Sequence, residues 1–112
     1  GEYDWIGRIP NTSGYSPTEI NDMSVFTVGS NAYIVGNNDK NGFNRSAGIW
    51  RLDPDDFLSI DTRIFEQTPT PHEAHDIVER DGVYYWFASG IFGWYSTSTA
   101  YRTATSLAGP WS

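Results

Sequence analysis

Two stretches of the chain share one hydrophobic and polar pattern. Asp22-Met-Ser-Val-Phe-Thr-Val-Gly-Ser-Asn-Ala-Tyr-Ile-Val35 reads as strand, tight turn, strand. Glu73-Ala-His-Asp-Ile-Val-Glu-Arg-Asp-Gly-Val-Tyr-Tyr-Trp86 has the same plan. With Gly29-Ser30-Asn31 laid on Arg80-Asp81-Gly82, Phe26 falls on Ile77, Ala32 on Val83 and Tyr33 on Tyr84, at a constant offset of 51. The match is one of pattern, with few identities.

Each hairpin continues in the same way. A polar loop over residues 37–46 leads to a third strand at Gly48-Ile-Trp-Arg-Leu52. Asp53-Pro54-Asp55-Asp56 supplies a turn, and Thr62-Arg-Ile-Phe-Glu66 a fourth strand. In the second unit the loop is residues 90–97 and the third strand lies near 99–105, followed by a turn at Leu107-Ala-Gly-Pro-Trp-Ser112. Four short antiparallel strands in about 50 residues is the plan of a propeller blade. The expected fold is therefore all-β, a β-propeller fragment of about two four-stranded antiparallel blades, with units near 22–68 and 73–112. A small β-sandwich is the competing reading. Two blades leave open sheet edges, so the remaining blades of a parent chain, or further copies, are expected as partners. The start, Gly1-Glu2-Tyr3-Asp4-Trp5, lacks an initiator Met and is expected to be internal.

Composition supports this picture. Aromatics make up 16% of the residues and eleven glycines punctuate the runs, while lysine occurs once, at Lys40. Consecutive Tyr84, Tyr85, Trp86 and Phe87 fill both faces of a buried strand, and Trp50 and Trp111 read as core. The net charge of −7, with seven scattered basic residues, argues against nucleic acid and against an anionic membrane surface. No apolar run approaches the roughly 20 residues of a membrane span. Without cysteine there is no disulfide or thiol chemistry. Asn11-Thr12-Ser13 and Asn44-Arg45-Ser46 match the glycosylation triplet, a pattern that arises easily by chance in Asn-rich loops.

The repeat places Asp22 on Glu73, each opening the first strand of its unit. First strands line the central channel of a propeller, so both carboxylates are expected in one funnel. Glycoside hydrolysis needs such a pair, one protonated to help the leaving oxygen depart. An acid at a strand start also commonly just caps a turn. Strand alternation puts His75 on the face of Glu73, with His72, Ala74 and Asp76 opposite. His75 is then expected beside Glu73, within reach of a substrate hydroxyl. No metal site is expected, since three converging ligands are lacking. Gly93-Trp94-Tyr95 follows the second hairpin, at the end of the unit that carries Glu73. Flat rings there suit the apolar faces of sugars, and packing between blades is the other use for Trp94.

Taken together, Asp22-Met-Ser-Val-Phe, Gly48-Ile-Trp-Arg-Leu-Asp, the run from His72 to Gly90, Gly93-Trp94 and Ser106-Leu-Ala-Gly-Pro-Trp-Ser112 resemble glycoside hydrolase family 43. The likeness is greatest to the branch with exo-β-1,3-galactanases. It implies a five-bladed propeller, an inverting mechanism and a general acid in a Glu-Ala-Pro or Glu-Gly-Pro motif, here Glu73 in Glu-Ala-His with His75 replacing the proline. It implies that Asp22 orients this acid, and that the general base lies before Gly1. It implies no cofactor, a structural calcium being carried in the channel of some members, and a secreted protein acting on galactan or on arabinose- or xylose-bearing polysaccharide. Rival readings are a non-catalytic glycan-binding propeller, a structural interaction domain, and a retaining fructoside-cleaving propeller.

Overall fold

The computed structural model describes residues 2–4, 7, 20–40 and 44–112. These form seven strands and no helix: β1 (Ile20–Val28), β2 (Asn31–Lys40), β3 (Asn44–Leu52), β4 (Ile60–Gln67), β5 (His72–Arg80), β6 (Val83–Gly90) and β7 (Thr99–Ala104). They pair antiparallel in chain order, as β1-β2-β3-β4 and as β5-β6-β7. Ser112 exchanges both backbone hydrogen bonds with Thr103, at 2.8 and 3.0 Å, and so extends the outer edge of the second sheet. The first strands lie side by side, with β5 packed on β1 and β2. Two meandering sheets stacked face to face in this order are two propeller blades.

The core between the blades joins Val35, Ala47 and Ile49 to Ile77, Trp86 and Leu107. Phe26 and Tyr33, stacked on each other with centroids 5.3 Å apart, pack against it. Trp86 meets the edges of Trp111 at 5.1 Å and Phe65 at 5.9 Å, in the geometry aromatic quadrupoles favour. The other face of the first sheet holds Ala32, Ile34, Trp50, Leu52 and Ile60. A Cβ at Gly48 would come within 2.5 Å of the Trp50 ring, so only glycine leaves room for that indole. A sheet that is apolar on both faces must be covered on both, as a blade within a ring is.

The strands run further than the sequence pattern implies. Residues 37–46, read as a polar loop, are largely the ends of β2 and β3. Asn37, Asn38 and Ser46 are buried there. Ser46 Oγ donates to the Asn38 carbonyl at 3.3 Å, and Asn37 Nδ2 to the His72 carbonyl of the next blade at 3.1 Å. The Asn37 bond crosses to the second sheet, a partner that local polarity does not reveal.

The repeat also needs a correction of one residue. The hairpins close at Val28–Asn31 and at Arg80–Val83, 52 apart. Each first strand has a bulge, between Asn21 and Ser24 and between Glu73 and Asp76, again 52 apart. The residues with left-handed backbone, Asp22 (φ 46°) and Ala74 (φ 53°), keep that spacing. In backbone terms Glu73 therefore corresponds to Asn21, and Asp22 to Ala74. A one-residue slip exchanges sheet faces, and the offset of 51 did not match turn with turn.

Candidate active site

The antiparallel order brings the starts of β1, β3 and β5 and the end of β6 to one edge of the two sheets. There Asp22, Glu73, Ala74, Ser89, Gly93, Trp94 and Tyr95 line an open cleft of about 610 Å³. Among the described residues, Asp22 and Glu73 are its carboxylates. The side chain of Glu73 is 20% exposed.

The bulges build this corner. On β2 only Gly36 opposes Asp22 and Met23. A Cβ on Gly36 would lie 2.8 Å from Met23 Cβ and 2.9 Å from the Asn21 carbonyl oxygen. The tight approach turns the β1 backbone so that Asp22 faces the cleft. Asp tolerates the left-handed conformation better than most residues. Ala74 adopts it without that advantage, and strain beside a candidate site is a feature of functional backbones. Ser89 Oγ donates to the Glu73 carbonyl at 3.3 Å and holds the second bulge.

Glu73 has a partner that sequence reasoning missed. Arg45 Nη1, from β3 of the first blade, donates to Glu73 Oε2 at 3.3 Å. The two residues are 28 apart in the chain, and local spacing carries no signal for the contact.

The expectation that His75 stands beside Glu73 is not met. The bulge resets the side-chain alternation between them. His75 is 3% exposed and packs between the sheets. Trp86 Nε1 donates to its Nδ1 at 3.0 Å. It borders a separate cavity of about 120 Å³, shared with Gln67, His72, Trp86 and Arg102. The Arg102 guanidinium lies 3.9 Å from the Trp86 ring centroid and donates to Gln67 Oε1. Burial pushes the His75 pKa down to about 4, against a smaller upward pull from the His72 backbone, with Arg102 and His72 charges adding to the fall. His75 is thus a neutral interior residue.

Trp94 and Tyr95 stand free of the core, Trp94 fully exposed. That leaves their faces open to the cleft and removes inter-blade packing within these two sheets as the use of Trp94. Gly93 takes φ 59°, a left-handed turn that suits glycine. Among the described residues no three His, Asp or Glu side chains come together as a group. The Asn11 triplet lies outside the described residues, and Asn44 is the first residue of β3.

No sequence-family model and no curated protein matches the chain. Solved structures do. An exo-β-1,3-galactanase from Phanerochaete chrysosporium, with galactose, is 30% identical with a TM-score of 0.75, over 84% of this chain and 22% of its own. One from Clostridium thermocellum is 25% identical with a TM-score of 0.72, over 83% and 20%. A family 43 β-1,3-galactosidase is 26% identical with a TM-score of 0.68, over 84% and 20%. The chain thus spans about a fifth of the length of these proteins. By blade architecture and by these likenesses, the chain is similar to a propeller segment of the family 43 exo-β-1,3-galactanases.

Proposed function

We infer that the protein carrying this chain is a glycoside hydrolase acting on galactan-type polysaccharide, with Glu73 as general acid. One observation carries the reading: Asp22, Glu73 and the open rings of Trp94 and Tyr95 line a single cleft. The Phanerochaete enzyme has been crystallised with galactose and, as a variant, with β-1,3-galactotriose, which supports an oligosaccharide ligand. The Glu73 carboxyl gives its proton to the glycosidic oxygen as the bond to the anomeric carbon breaks and its electron pair stays on that oxygen. Water adds to the anomeric carbon and loses its proton to a general base, a role distinct from the orienting one given to Asp22. Asp22 orients Glu73, and Trp94 and Tyr95 offer apolar faces to sugar rings. A polymer substrate lies outside the cell, so the protein is exported.

Glu73→Gln in the full-length protein tests the assignment. Cleavage of unactivated galacto-oligosaccharide is expected to fall by about 100-fold or more. Unchanged turnover would remove Glu73 as the acid. Binding of the sugar by the unaltered protein without product release would favour a carbohydrate-binding module instead.

A further inference from the structure

Arg45 is tied to the strand that bears Glu73 by backbone as well as by side chain. Its carbonyl accepts the Thr70 amide at 3.0 Å. Two residues later the chain enters β5 at His72. The connection between the blades thus fixes Arg45 close to the start of β5, and its Nη1 donates to Glu73 Oε2 at 3.3 Å. The side chains of the pair are 34% and 20% exposed, and they belong to different blades. A fully solvated ion pair contributes little to stability. Glu73 lines the cleft, so what this pair fixes is the geometry of a cleft carboxyl.

A carboxyl oxygen that accepts from a guanidinium is not the one that carries the proton. With Oε2 engaged, the proton of a neutral Glu73 sits on Oε1. When that proton passes to the leaving oxygen, the carboxylate formed meets a cation already in place. We propose that Arg45 is a positioning residue for Glu73, holding Oε2 so that Oε1 presents the proton to the glycosidic oxygen. The proposal rests on Glu73 being the acid.

The test compares Arg45→Ala, Arg45→Lys and Glu73→Gln in the full-length protein on two substrates. One is an unactivated β-1,3-galacto-oligosaccharide; the other is a dinitrophenyl β-galactoside, whose leaving group departs without a proton. Glu73→Gln should lose about 100-fold or more on the first and little on the second. Arg45→Ala should lower kcat on the oligosaccharide by about tenfold or more, with KM and dinitrophenyl turnover unchanged. Arg45→Lys should recover part of the loss. If Arg45→Ala does not fold, Arg45→Gln takes its place in the same comparison. An equal loss on both substrates for Arg45→Ala, with Glu73→Gln still selective, would overturn the role of Arg45 alone. A Glu73→Gln variant selective for neither would overturn the acid itself.

Discussion

Trp86 and His75 are joined by a buried hydrogen bond, indole Nε1 donating to imidazole Nδ1 at 3.0 Å. The bond selects the tautomer with its proton on Nε2. It also ties β5 to β6 within the bulge that follows Glu73. The rings meet at 73° with centroids 5.6 Å apart.

Because this histidine stays neutral in the folded chain down to about pH 4, stability depends on pH. The unfolded chain takes up the proton near pH 6.5. The stabilisation is complete above that pH and is lost as pH falls from about 6.5 to about 4, by on the order of 3 kcal/mol at most. Urea unfolding at several pH values should show this loss in the unaltered protein and a shallower slope in His75→Gln. Parallel profiles would count against a buried neutral His75.

Gly36→Ala should destabilise the first blade by about 1–3 kcal/mol, because the new methyl has no free space opposite the bulge. Thermal unfolding checks this. An unchanged midpoint would mean that β1 and β2 approach less closely than described.

Ala74 offers the opposite case. Left-handed backbone costs an L-residue roughly 1–2 kcal/mol, and Ala→Gly gives back part of that gain as chain entropy, about 0.4–1 kcal/mol. Ala74→Gly should leave stability unchanged or raise it slightly, while Ala74→Val should lower it. Denaturant midpoints that rank valine above glycine would contradict the observed φ.

Trp94→Ala removes a ring that packs against nothing in the core. Stability should stay within about 0.5 kcal/mol of the unaltered protein. Affinity for galacto-oligosaccharide in the full-length protein should fall several-fold by calorimetry. Unchanged affinity would end the sugar-platform role.

The blade plan was legible in the sequence because it rests on local signals. Period-two hairpins, turn residues and a cluster of large aromatics predict β1–β2 and β5–β6 and put Trp50 and Trp86 in the core, where both are buried. Asp22 and Glu73 were singled out from a repeat whose offset is one residue off, and Trp94 from the loop after the second hairpin; the three line one cleft. What stayed hidden depends on distant partners or on a single inserted residue. A bulge leaves no mark on composition, yet it moved His75 from the cleft to the interior. The ends of β2 and β3 looked like loop because the bond from Asn37 to His72 spans 35 residues. Arg45 gave no sign of itself, being one more charged residue in an Asn-rich stretch.

The short connection over residues 68–71 is hydrogen-bonded on both sides: the Thr70 amide reaches Arg45, and the Pro71 carbonyl accepts the Ile91 amide at 3.3 Å. Neighbouring blades are thereby clamped at the rim, and slack introduced there would spread directly into the spacing of the guanidinium and the carboxyl. Variation in length is cheap in the segment after β6, which carries the rings, and expensive in this hinge.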